Sequence, residues 1–167
     1  MSVEEPRKST RVVFAGLLDL GEYYGYLHKL FEAFGYKVNE ILYRQKEAMD
    51  GSKEVEVNWE CVKDVDSYTR FQIMMNLFVG KWVKVEVMKD GSKVRMDKCE
   101  ADAKFKTKLI RDYRNFFKSI FSPLRVMYEK SFYRGTLESW RMKLEEELDL
   151  IENEIKAFLN LKGIVLK

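Results

Sequence analysis

Histidine occurs once in this chain, cysteine twice, proline twice and glutamine twice, and nowhere is there a long apolar run. Each scarcity excludes something. Triad hydrolysis normally pairs a serine or cysteine with a histidine base, and His28 is the only candidate. It falls off the apolar stripe of the helix that contains it, so it reads as a solvated surface residue. Cys61 and Cys99 supply neither a disulfide framework nor, with one histidine, a four-ligand zinc site. Both sit on the apolar register of strand patterns and read as buried core thiols. No glycine-rich phosphate loop, dinucleotide fingerprint or nucleophile elbow is present. The expectation is therefore a non-enzymatic protein with no catalytic set, no cofactor and no metal.

No segment approaches the ~20 apolar residues that span a bilayer. Residues 1–11 carry charges of both signs and lack the apolar stretch of a signal peptide. Both points predict a cytoplasmic protein without membrane contact. Glutamine and asparagine are sparse beside abundant lysine and glutamate, a bias seen in thermophile proteins.

What is present is a globular composition, 46% hydrophobic and 34% charged over 167 residues, which suits one domain. Residues 1–10 are polar, contain Pro6 and read as a flexible N-terminus before a single domain over 11–167. A short strand is predicted from Arg11 to Leu18. Asp19 and Glu22 match a capping box, and Leu20, Tyr23, Tyr24, Leu27, Phe31 and Phe34 form one helical stripe ended by Gly35. A blurred strand follows from Tyr36 to Lys46, and Asp50-Gly51 marks a tight turn. Val55, Val57, Trp59 and Cys61 alternate with polar residues. The same alternation returns at Phe71, Ile73, Met75, Leu77 and Val79, where Gly80 is expected to end the strand.

Val83, Val85 and Val87 predict a further strand, and Asp90-Gly91 a second hairpin. The next strand starts at Lys93, with a bulge expected near Asp97. It continues with Cys99, Ala101, Ala103, Phe105, Thr107 and Leu109 facing in. Ser122-Pro123 is a helix-start pair, opening a helical pattern to about Leu161 with a kink near Gly135. The fold class is α+β: a curved antiparallel sheet of five or six strands packed against an N-terminal helix and a long C-terminal helix.

Charge is unevenly spread. From Lys104 to Arg134 nine lysines and arginines face only Asp112 and Glu129, a local net of +7 in a chain of net +3. Lys104, Lys106 and Lys108 share one strand face, and Arg111, Arg114 and Lys118 extend the row. Arg125, Lys130 and Arg134 continue it, and Tyr113 is a stacking candidate. Such a row suits phosphate contacts, with aromatic rings available to unpaired bases. The expected partner is RNA or the small ribosomal subunit; the plainer explanation is a strand with lysines on its solvent face.

Two other readings stand beside it. A sheet gripping a long helix can enclose an apolar cavity, as helix-grip lipid carriers do, with Met74, Met75, Met88 and Met96 as adaptable lining. From Thr136 to Leu161 the last helix would be ~39 Å long, so its overhang suits a homodimer through Trp140, Leu144, Leu148 and Ile151. The carboxylates (Glu54, Glu56 and Glu60 on one strand, Glu100 and Asp102 on another) read as solvated faces.

Phe14-x-Gly16-x-x-Asp19-x-x-Glu22, then Gly35-Tyr36, Glu40 and Tyr43, then Val57-x-Trp59-Glu60 and Val65-Asp66-x-Tyr68, resemble a group of small uncharacterised archaeal α+β proteins. The resemblance covers about residues 12 to 160 and implies a helix, a meander and a closing helix, with no active site to carry over. Narrower still is a similarity to the archaeal ribosome dimerisation factor, which implies a dimer acting on the small ribosomal subunit.

Overall fold

The first strand starts almost at the N-terminus. The computed structural model describes residues 2–117 and 122–166, without the side chain of Ser122. Its elements run β1 (Val3–Leu18), α1 (Leu20–Ala33), β2 (Lys37–Glu47), β3 (Lys53–Asp64), β4 (Thr69–Lys89) and β5 (Ser92–Arg111). Then come α2 (Ser122–Ser131), α3 (Arg134–Lys162) and the two-residue β6 (Ile164–Val165). The fold is α+β, with six antiparallel strands in one open sheet in the order β2-β3-β4-β5-β1-β6.

Residues 3–10 were expected to be flexible. Instead Val3 pairs with Arg111, and β1 follows β5 along its whole length apart from a shift between Pro6 and Ser9. Alternating polarity is weak in this stretch because its inward positions carry charge. Arg7 reaches Glu145 at 2.8 Å and Lys8 reaches Asp149 at 2.6 Å, both on α3.

Two strand boundaries also move. Gly80 does not end a strand; it lies inside β4, and the register slips between Gly80 and Val83. Lys81 takes a φ of 51°, so the bulge sits on β4 and not near Asp97. One extra residue inverts the alternation. Beyond it Trp82 and Lys84 turn to the inner face beside Asp97, and Val83, Val85 and Val87 turn outward. The break expected near Gly135 falls just before it, between Ser131 and Arg134.

Only half of the capping box forms. Asp19 accepts from the Glu22 N–H at 3.1 Å, while the Glu22 carboxylate lies 3.4 Å from Lys162. Gly35, at φ 90°, supplies the left-handed stop after α1.

Both long helices lie on one face of the sheet. The register stacks the inward side chains into rows across the strands. Lys63, Phe71 and Leu109 form one row and Cys61, Ile73 and Thr107 the next. Trp59, Met75 and Phe105 form a third. Continuing along the strands, the rows become Val57-Leu77-Ala103-Val12 and Val55-Val79-Ala101-Phe14. On β3, β4 and β5 side-chain bulk drops after the Trp59-Met75-Phe105 row. Over the bulky rows the helices pack down: Leu27, Phe31, Leu144, Leu148, Ile151 and Ile155 are fully buried. The two cysteines are buried as predicted, and burial pushes both thiols up to about 12.

The expected dimer surface is corrected here. Leu144, Leu148 and Ile151 have no exposed area because they are the stripe that α3 lays on its own sheet. Trp140 is half-buried, with its ring edge-on to Phe71 and its indole N–H donating to Asp66 Oδ2 at 2.9 Å. Leu144, Leu148 and Ile151 are thus not available to a second copy.

A buried ion pair locks α3 to the bulky end. Lys63 Nζ donates to both Glu147 oxygens, at 2.6 and 2.8 Å, and to the Phe34 carbonyl at 2.9 Å. The Tyr36 hydroxyl donates to Glu147 Oε2 at 2.7 Å. Desolvating two charges is costly unless each finds several partners, and these do.

Candidate functional site

The basic segment is divided by the sheet. Lys104 and Lys106 are exposed on the outer face of β5, flanked by Arg11 and Ser9 of β1. Lys108 shares that face but lies 3.0 Å from Glu4. Arg111 is on the opposite face, where its Nη1 donates to Glu129 at 2.5 Å and Glu5 lies 3.7 Å away. Glu5 is also held by Arg141 at 2.7 Å and Arg7 at 3.0 Å, so Arg111 belongs to an internal network joining β1, β5, α2 and α3.

Tyr113 already has cationic company. Its ring lies 4.6 Å from the Arg70 guanidinium and 5.4 Å from that of Arg114. Its hydroxyl donates to the Asp66 carbonyl at 3.0 Å and accepts from Arg114 Nε at 3.2 Å. Arg125 and Lys130 lie on α2, and Arg134 opens α3. Lys118 lies outside the described residues. Among the described residues, Lys104, Lys106 and Lys108 share the outer face of β5, while Arg111 lies on the opposite face.

The methionine lining is dispersed as well. Met75 is buried in the core, Met96 is buried outside the main cluster, and Met88 is exposed. Met74 points to the outer face, opposite Lys106.

A cleft nonetheless exists, under the shorter helix. It has a volume of about 600 Å³ and lies between the first turn of α1 and the small-side-chain end of the sheet. Val55, Val57, Leu77 and Val79 make its floor. Leu20, Tyr23 and Tyr24 come from α1, Tyr43 from β2, and Trp82 and Lys84 from β4. Valine on the sheet leaves a gap that phenylalanine or tryptophan would fill, and the start of α1 spans it.

Two carboxylates fix the walls. Asp97 is buried, accepting from the Leu20 N–H at 2.9 Å and from the Trp82 indole at 2.7 Å, with Lys84 Nζ 3.1 Å away. Burial pushes its pKa up, but these donors outweigh burial and hold it below the ordinary carboxylate value. Glu40 Oε2 accepts from the Tyr24 hydroxyl and, at 3.0 Å, from the Trp59 indole. Burial and that carboxylate push the Tyr24 phenol up to about 12, so it stays a donor at neutral pH.

Sequence reasoning missed the cleft residues for a definite reason. The valines at 83, 85 and 87 keep the same odd-numbered alternation as Leu77 and Val79, so nothing betrays the inversion that sends Trp82 and Lys84 inward. The drop in bulk from Phe105 to Ala103 and Ala101 was the available signal. Among the described residues no group of histidine, cysteine and carboxylates has the proximity to hold a metal. No helix there is long and apolar enough to cross a membrane. No family model matches the chain, and no curated protein matches it.

Proposed function

We propose that the protein binds an apolar small molecule in the cleft between α1 and the sheet. The observation that supports this reading is the graded inner face, which withdraws side-chain volume under a helix end that polar bonds hold in place. A cleft of about 600 Å³ is within the usual range for ligand sites. Its floor is aliphatic and its walls carry tyrosine and tryptophan, the composition expected where an apolar body is enclosed and a few polar atoms orient it. The site lies under α1 and not, as in the helix-grip expectation, under the long helix.

Native mass spectrometry of freshly purified protein tests the reading. The expected result is a co-purified small molecule that is absent from Val79→Trp, a variant whose indole occupies the floor. Chain mass alone, together with no uptake of any apolar probe, would overturn it.

A second reading is contact with RNA or the small ribosomal subunit. It is favoured by Lys104 and Lys106, which form no ion pair among the described residues and sit on an uncovered sheet face. The resemblance to the archaeal proteins, including the ribosome dimerisation factor, would acquire a function on this reading, and self-association would use surfaces other than the α3 stripe. Filter binding on ribosomal RNA or small subunits across a salt series tests it. Binding that weakens steeply with salt and falls in Lys104→Glu/Lys106→Glu is expected; binding indifferent to both ends the idea.

A further inference from the structure

Resting on the cleft reading, we infer that the occupant is an apolar molecule carrying an amine or a comparably strong hydrogen-bond donor, and that carboxylate amphiphiles are rejected. The charge of the cleft is one-sided: Asp19, Glu40 and Asp97 line it, against Lys84 alone. That cation already lies 3.1 Å from Asp97 Oδ1, so its charge is offset within the cleft wall. Both oxygens of Asp97 are engaged, Oδ2 by the Leu20 N–H and Oδ1 by the Trp82 indole.

Glu40 is different. Both of its bonds from the protein arrive on Oε2, from Tyr24 and Trp59, and Oε1 accepts from none of the described residues. A carboxylate oxygen has two acceptor sites. Glu40 thus presents an unused, negatively charged acceptor whose orientation is set by two aromatic donors. Tyr24 and Tyr43 stand edge-to-face beside it, with ring centroids 6.4 Å apart. Aromatic faces favour a cation and give an anion nothing.

An incoming carboxylate would add a negative charge beside three others, with one cation, already paired, to offset them. An ammonium at Glu40 Oε1 makes a charge-assisted hydrogen bond while its apolar body covers the valine floor. The arrangement selects by the sign of the headgroup.

Titration calorimetry of the full chain with naphthylmethylamine, naphthylmethanol and naphthoate at neutral pH tests this. The amine is expected to bind about tenfold tighter than the alcohol, and naphthoate more weakly than either. Glu40→Gln keeps an acceptor oxygen for Tyr24 and Trp59. It is expected to bring the amine down to the affinity of the alcohol and to leave the alcohol unchanged. Naphthoate binding as tightly as the amine, or an amine preference that survives Glu40→Gln, would overturn the inference. If the alcohol binds and the amine gains nothing, headgroup selection alone fails. If none of the three binds, the cleft reading fails with it. Should Glu40→Gln not fold, the three-probe series on the unaltered chain decides.

Discussion

The two ends of the inner sheet face use the same strands to opposite effect. At one end Trp59, Phe71, Met75, Phe105 and Leu109 fill the space beneath the helices, and a satisfied ion pair ties Lys63 to Glu147. At the other, Val55, Val57, Val79, Ala101 and Ala103 keep the inward alternation unbroken, yet α1 stands off. The inward alternation of β3 runs through both ends, but at the open end side-chain volume drops and the bulge on β4 turns Trp82 and Lys84 inward. A sheet can thus build a core and a cleft on one face, the boundary falling where Trp59, Met75 and Phe105 give way to Val57, Leu77 and Ala103.

That contrast can be broken first by truncation. Phe105→Ala should cost about 4 kcal/mol through lost burial and the cavity it leaves, whereas Val79→Ala should cost about 1.5 kcal/mol, the value of its two lost methyl groups. Urea unfolding measures both, and equal losses would erase the distinction between filled and open ends.

The ion pair offers a second cut. Glu147→Ala strands the Lys63 ammonium and the Tyr36 hydroxyl in a half-dry environment and should cost about 3 kcal/mol. A Lys63→Met/Glu147→Leu double variant should recover most of it. If the single change leaves the urea midpoint in place, α3 is not anchored there.

At the open end the expected effect is a pH dependence. The folded-state pKa of Asp97 lies below its ordinary 3.8. Its contribution is therefore fully present above 3.8 and is lost as pH falls through the lower folded value. The stability gap between the unaltered chain and Asp97→Asn should narrow on acidification through that window. Acid limbs that run parallel would show that Asp97 does not hold the start of α1.

The smallest effect belongs to the outer face. Lys104→Glu/Lys106→Glu should change stability by no more than about 0.5 kcal/mol, because both lysines are exposed and neither forms an ion pair among the described residues. A larger loss in urea unfolding would place these side chains in the scaffold and remove them from any binding surface.

Much of this architecture was readable beforehand, and the failures share a cause. The helix from Leu20, the hairpin turns at Gly51 and Gly91 and the lysine face of β5 follow from local periodicity and turn chemistry, which the chain states residue by residue. Pairing of residues 3–10 with β5 was hidden because their inward positions hold Arg7 and Lys8, charges that look solvated until Glu145 and Asp149 meet them. The basic patch failed for the same reason. Counting cations along the chain cannot reveal that Arg111 faces Glu129 across a helix, or that Lys108 faces Glu4. The methionine pocket failed because the four side chains do not converge: Met74 lies on the outer face opposite Lys106, Met75 is core, Met96 is buried outside the main cluster and Met88 is exposed. Of the cleft, Leu20, Tyr23, Tyr24 and the floor of Val55, Val57, Leu77 and Val79 were visible as core, and Asp19 as a helix cap.

The placement of β1 carries a consequence for how the molecule is made. Val3 finds its partner only when Arg111 at the far end of β5 has been synthesised. Until then β1 is an orphan with Val12, Phe14, Leu17 and Leu18 uncovered, while the local hairpins of β2 to β5 are free to form. Closing so large a loop is entropically costly and slows folding relative to the hairpins. Nascent chains stalled before β5 should therefore be the aggregation-prone species, and those released after it should not.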